Sequence, residues 1–313
     1  MMRFGGFFRE RALYTRPWAI RLYRNLRRAA SAAGFHLVLK TFYSPIPSLE
    51  ELPPGTLERV SPLSGVRFDL DAQLAWVRDE IAARMAEFRP SPAGAGGPHD
   101  YTEGTESYGI LDAAVLYGTL RRLRPQRVIE LGSGASTLVI AQAARENERD
   151  GAPLRLAAFD PFPNVVSETL PGLAELNRRR AQDIPIEVFE ELADGDVLFV
   201  DTTHTVKLGS DVNFIVLDVL PRLAPGVVVH FHDIFLPYEY PRTWLEDFGL
   251  YWTEQYLLQA FLTHNPVWDI VCAVGALARD RREQLAGVVP AGVPVTGGGA
   301  FWIRRTHARP AAA

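Results

Sequence analysis

Four apolar runs in this chain of 313 residues end in side chains that can move protons, hold cations or accept hydrogen bonds. Val128-Ile129-Glu130-Leu131 meets the turn Gly132-Ser133-Gly134-Ala135-Ser136-Thr137, and Leu154 to Phe159 ends at Asp160-Pro161. Val197-Leu198-Phe199-Val200 ends at Asp201-Thr202-Thr203-His204, and Val228-Val229-His230-Phe231 ends at His232-Asp233. In open α/β sheets, ligands gather beyond the carboxyl ends of the strands, which would place these residues around one cleft. A histidine near neutral pKa can take the proton of a hydroxyl, and His204 is the residue expected to do so. Asp201, with His232 or Asp233 on the neighbouring strand end, could hold a divalent cation, Mg²⁺ or a transition metal, that lowers the hydroxyl's pKa. His230 reads as a core residue.

The turn after Glu130 indicates which cofactor the cleft would take. Glycines at 132 and 134 let backbone approach a ligand, and a helix starting at Ser136 or Thr137 offers unpaired N–H donors. A dinucleotide fingerprint has a third glycine where this chain has Thr137, and Glu130 would repel a pyrophosphate. That argues against an NAD-linked dehydrogenase. A ligand with an ammonium group and no phosphate fits better, and S-adenosylmethionine (SAM) has both properties. Glu130, Gly132, Ser133, Gly134 and Ser136 are the expected contacts, with Asp160 accepting from ribose hydroxyls.

The chain resembles the class I SAM-dependent methyltransferases, and more narrowly the bacterial family known as methyltransferase domain 24. The resemblance rests on the glycine turn, on Asp196 to His204, on Ser210-Asp211-Val212-Asn213-Phe214 and on Leu223 to Pro237, and it covers about residues 100 to 305. The arrangement is also similar to metal-dependent catechol and macrolide-sugar O-methyltransferases, which the chain departs from in carrying His204 and His232 where the catechol type has Lys and Asp. The resemblance implies SAM-dependent methylation of a hydroxyl on a small molecule or glycan unit, with Tyr108 closing over the cofactor. Tyr238, Tyr240 and Trp244, in an aromatic loop after Asp233, are the expected walls of the acceptor pocket. Two other functions share these residues. Asp201, His204 and His232 would also suit a metal-dependent oxygenase, and the turn alone would suit a SAM-binding protein without turnover.

The elements that must position these residues alternate strand with helix from residue 99 onward, which predicts a Rossmann-like α/β domain over 99–306. Its sheet is expected to have seven mostly parallel strands with helices on both faces and Ile184 to Phe189 as the third strand, and the resemblance implies that the last strand is antiparallel. Helices are expected over 106–123, 136–147 and 211–222. An N-terminal helical cap and linker, 1–98, is expected to end in the Pro/Gly run before Pro98, and 307–313 to form a disordered tail. The cap would hold a helix over 72–88 and an amphipathic helix with Trp18, Leu22, Leu26 and Ala29 on one face and Arg21, Arg24 and Arg28 on the other. That first helix reads as packed on the core with a solvated basic face, contact with an anionic membrane or polymer being the alternative.

Composition narrows the class. A net charge of −4 gives no general reason to expect nucleic acid, and no run is apolar enough for a signal peptide or a transmembrane segment. A single cysteine, Cys272, rules out an internal disulfide and fits a reducing, cytoplasmic setting.

Overall fold

The computed structural model describes residues 16–41 and 43–306. The expected tail at 307–313, Phe42, and the basic residues Arg3, Arg9 and Arg11 lie outside the described residues. The described chain divides into two compact units: the segment up to Thr56 with Arg242–Tyr251, and Leu57–Pro241 with the chain from Trp252 onward.

The smaller unit holds α1 (Pro17–Ala32) and the short helix Arg242–Glu246. Pro17 starts α1 where a missing N–H costs nothing, and Gly34 at φ +83° turns the chain away after it. The amphipathic pattern of α1 is as expected. Only Ala19 of this helix is buried, while Trp18, Leu22 and Leu26 are exposed.

The larger unit is built on seven strands in the order β3-β2-β1-β4-β5-β7-β6. They are β1 (Arg127–Leu131), β2 (Arg155–Phe159), β3 (Glu175–Asn177), β4 (Val197–Val200), β5 (Val228–Phe231), β6 (Trp268–Ala273) and β7 (Phe301–Arg305). The pairs from β3 to β5 are parallel, and β7 runs antiparallel between β5 and β6. Alternate residues of each strand feed opposite faces. Val128, Leu156, Val197, Phe199 and Trp302 join one core cluster, and Ile129, Phe159, Leu198, Val200 and Ile303 the other. Near-continuous apolar strands are what a sheet covered on both sides requires.

The first face is covered by α2 (Leu70–Trp76, a π-helical turn Val77–Ile81, then Ala82–Met85), α3 (Ile110–Leu123) and α4 (Ala135–Arg149). The second is covered by α5 (Ile186–Glu190), α6 (Asp211–Phe214, running on through Ile215–Val219 and Leu220–Arg222) and α7 (Glu254–Leu262). Two short helices, α8 (Val274–Asp280) and α9 (Arg282–Ala286), link β6 to β7.

Two expectations about the chain's organisation are corrected. The Pro/Gly run does not separate α2 from the sheet: Val77, Ile81 and Met85 are fully buried in the sheet's core. Gly118 on α3 makes this possible, because a Cβ there would lie 2.5 Å from Met85 Cγ. The third strand is Glu175–Asn177, and residues 184–189 instead lead into and form α5. Pro185 cannot donate to a ladder but can precede a helix, and Ile184, Phe189 and Leu192 then reach the core at helix-compatible spacing.

Candidate active site

The glycine turn sits where the chain leaves β1 in one direction and β4 in the other. Gly132 N–H donates to Phe159 O (2.9 Å), Asp201 N–H donates to Leu131 O (2.9 Å), and Gly132 has φ +85°. A Cβ at 132 would lie 1.9 Å from Asp201 O, so only glycine allows the two loops to pass. The loops carrying the expected cofactor residues and the expected base are therefore in direct contact.

The polar residues of the turn bind one another. Ser133 donates from its N–H and its hydroxyl to the same oxygen of Asp160, both at 2.9 Å, and Phe162 N–H donates to the other at 2.7 Å. Ser136 Oγ donates to Glu130 Oε1 (2.8 Å), and Gly134 N–H donates to Thr137 Oγ1 (2.9 Å). Glu130 is completely enclosed on the sheet, and burial pushes its carboxyl up from 4.5 to about 8 against the hydrogen bond from Ser136. Its second oxygen, Oε2, has no hydrogen-bond partner among the described residues. Tyr108 is not drawn to this turn. It is buried with its ring 4.6 Å from that of His232 and its hydroxyl 3.4 Å from His230 Nε2.

The ends of β4 and β5 form the second half of the site. His204 and Asp233 both adopt left-handed backbone conformations, φ +54° and +57°, uncommon for residues with a side chain and often found where function demands it. Thr253 and Glu254 donate their N–H groups to His204 O, at 2.9 and 3.1 Å. The His204 ring lies 4.3 Å from that of Trp252. Its Nδ1 is 2.9 Å from Glu254 Oε2, and its Nε2 faces Asp201 Oδ1 (3.2 Å) and Asp233 Oδ2 (3.7 Å). Burial lowers the pKa of His204, but Asp201 and Glu254 together push it up to about 10. Asp201 shows the converse: burial raises its carboxyl, and His232 and His204 bring it below its ordinary value.

His232 is enclosed between Asp112, Asp201 and Asp233 at 3.5 to 3.7 Å, and neither ring nitrogen makes a hydrogen bond of good geometry. Burial lowers its pKa, and Asp233 and Asp201 raise it well above the ordinary value. His230 is the core residue expected from the sequence, stacked on Phe199 at 4.1 Å, with burial holding it neutral.

Two residues of this half carried no signal of a role. Asp112, buried on α3, accepts from Gly299 N–H (2.9 Å) and Ala300 N–H (3.2 Å), and so ties the start of β7 to the site. Glu254 is buried at the first turn of α7. A carboxylate inside an apolar helical stretch is the only trace Asp112 leaves in the sequence. Glu254 leaves none, because helix starts are rich in acidic residues anyway.

The metal ligands expected were Asp201, His232 and Asp233. The set whose ligand atoms all lie within 4.8 Å of one another among the described residues is Asp201, His204 and Asp233, so His204 replaces His232. Of the expected acceptor wall, Tyr240 reaches the site through Trp252, with ring centroids 6.2 Å apart, and its hydroxyl accepts from Gln255 N–H (3.1 Å). Tyr238 donates instead to Asp280 at 2.6 Å, under the guanidinium of Arg279. Trp244 belongs to the smaller unit.

Asp112, Asp201, Asp233 and Glu254 thus outnumber the two imidazoles of His204 and His232, and their field favours a cationic ligand over a phosphate. The strand order, the reversed β7 and the glycine turn beside an acidic strand end define the class I SAM-dependent methyltransferase fold. Residues 129–234, which run from β1 to just past β5, match the family Methyltransf_24, described as a methyltransferase domain. That stretch of the chain is therefore similar to a methyltransferase domain of this family.

Among solved structures, similarity is found to CmcI without ligand, at 16% identity and a TM-score of 0.40, over 85% of this chain and 91% of that one. CmcI with SAH matches at 16% and 0.39, over 85% and 98%, and CmcI with Mg and SAM at 16% and 0.39, over 85% and 90%. No curated relative matches the chain.

Proposed function

We propose that the domain methylates a hydroxyl of a small molecule or sugar unit and that His204 is the general base. The observation that carries this reading is the fixed imidazole: Nδ1 is held by buried Glu254 and Nε2 is turned toward the carboxylates at the ends of β4 and β5. Once deprotonated, Nε2 would take the proton of a hydroxyl presented there, and the imidazolium formed would lie against Asp201 and Glu254, the pair that raises its pKa to about 10. SAM supplies the electrophilic methyl carbon. Gly132, Ser133, Gly134 and Ser136 would bring backbone and hydroxyl groups to the cofactor, Glu130 would offer Oε2 to its ammonium, and Asp160 has acceptor capacity left for ribose.

Asp201 and Asp233 fit a hard divalent cation by ligand type, and they lie close enough to share one with His204. Such an ion would lower the pKa of a bound hydroxyl. This favours a second reading, because a nitrogen that ligates the metal cannot accept a proton. In that case His204 is a ligand and the metal activates the acceptor.

The test is an acceptor screen with SAM, with product detected by mass, on the wild type and His204→Gln, each with and without chelator. The base reading expects chelator-resistant turnover that falls by about 100-fold or more in the variant. Turnover abolished by chelator and restored by added Mg²⁺ or Mn²⁺ would move His204 to the ligand set. Uptake of oxygen by an iron-loaded enzyme would establish the oxygenase alternative. Loss of S-adenosylhomocysteine binding in Glu130→Ala and Asp160→Ala would support the cofactor half.

A further inference from the structure

We propose that α1 is an interfacial helix that seats the protein on an anionic lipid bilayer. On a helical wheel Trp18, Leu22, Leu26 and Ala29 share one side, and Arg21, Arg24 and Arg28 another, centred about 120° round the helix. A helix that covers a protein core buries its apolar side. In α1 that side is open: Trp18 is 61% exposed, Leu22 52% and Leu26 50%. Phe35, just beyond the helix, is 71% exposed.

The charge on this segment points to the partner. Residues 16–48 include Arg16, Arg21, Arg24, Arg27, Arg28 and Lys40 and no acidic residue, in a protein of net charge −4. Lys40 pairs with Glu50, but Arg21, Arg24 and Arg28 make no ion pair among the described residues. Arg24, Arg27, Arg28 and Ser31 share a groove with residues 35–38, so guanidinium groups and an apolar rim stand side by side. The preceding sequence is also aromatic and basic, with Phe4, Phe7, Phe8, Arg3, Arg9 and Arg11 against Glu10.

A bilayer satisfies both sides of such a helix. The apolar side enters the boundary between headgroups and acyl chains, while the long arginine side chains reach out to lipid phosphates. A nucleic acid would engage only the basic side and leave Trp18, Leu22 and Leu26 in water. No helix among the described residues is long and apolar enough to cross a membrane, so the contact proposed is with the surface.

The test is flotation of the full chain with vesicles of phosphatidylcholine alone or mixed with phosphatidylserine, at low and high salt. The expected result is association with the anionic vesicles, weakened by salt and much weaker on neutral ones. Arg24→Glu with Arg28→Glu should weaken it by about 25-fold or more, at roughly fivefold for each arginine lost and more for the reversal of charge. Leu22→Glu with Leu26→Glu should weaken it by about 10-fold or more. Arg24→Lys with Arg28→Lys, which keeps the charge, should bind like the wild type. The proposal is overturned if the wild type does not float with anionic vesicles at low salt. It is equally overturned if the leucine variant binds them as well as the wild type, or if duplex DNA or RNA competes the protein off the vesicles and binds the leucine variant undiminished.

Discussion

At the carboxyl ends of β1 and β2, the turn is assembled from its own parts: Ser133 on Asp160, Ser136 on Glu130, Thr137 on Gly134. At the ends of β4 and β5, two residues hold left-handed backbones, His232 is crowded by three carboxylates without a good hydrogen bond, and Glu254 Oε1 is left unpartnered. The first half can wait for a ligand in a relaxed state. The second packs the carboxylates of Asp112, Asp201, Asp233 and Glu254 around the imidazoles of His204 and His232. Glu130 is the exception in the first half, being enclosed with one free oxygen. The glycine turn and the charged cluster are thus built by different strands.

The joint between the halves should be the costliest place to disturb. Gly132→Ala would set a Cβ 1.9 Å from Asp201 O on a backbone at φ +85°, which neither loop can absorb alone. A loss on the order of 4 kcal/mol or more is expected, read as a large drop in melting temperature or as failure to fold. A normal melting curve would show that the two loops are not locked together.

Glu130 tests whether the relaxed half also stores electrostatic cost. Its pKa rises from 4.5 to about 8 on folding, so the folded state retains a proton that the unfolded chain gives up. Wild-type stability should therefore fall relative to Glu130→Gln as pH rises from about 4.5 to about 8, by on the order of 5 kcal/mol across the window. Urea unfolding at several pH values would show the two curves diverging and then running parallel above about pH 8. A cationic ligand that pairs with the ionised carboxylate should bind more tightly over the same range, and only in the wild type. Parallel curves throughout would mean that water or a counter-ion already satisfies Oε2.

Much of this contrast could be seen in the sequence, and its limits have physical causes. Glu130, Asp160, Asp201, His204, His232 and Asp233 were legible because each ends an apolar strand, and a parallel sheet brings such ends to one edge. The reversed last strand came from the family resemblance, and the strand order was not legible, since periodicity cannot tell where a sheet places each strand. Residues 184–189 misled because a short apolar alternation suits a strand or a single helical turn, and only the pairing of Glu175–Asn177 with β2 decided it. Glu254 and Asp112 were hidden because each meets its partner across a long gap in sequence: 50 residues to His204, and 187 to Gly299. Amphipathicity revealed the two sides of α1 but could not say whether a core would cover the apolar one.

The strained half should respond to cations. Mg²⁺ is expected to raise the stability of the wild type by about 1–3 kcal/mol when supplied well above its dissociation constant, through Asp201 and Asp233. Asp233→Asn should remove most of that gain and leave the binding of S-adenosylhomocysteine nearly unchanged. Equal stabilisation of both proteins in thermal melts would place the cation elsewhere.

The smallest effect expected is the most specific. Glu254→Gln keeps the shape beside His204 Nδ1 and removes the charge. His204 must be unprotonated to act as a base, and Glu254 is one of two carboxylates that hold its pKa up to about 10. Removing that charge lowers the pKa, so the rising limb of the rate against pH should move to lower pH. The plateau should fall by only about tenfold, because the ring is held less firmly and its nitrogen is a weaker base. If Glu254 were merely structural, the plateau would fall with the limb in place. A limb that moves while the plateau drops modestly would show that a carboxylate 50 residues away in sequence sets the basicity of the imidazole at the end of β4.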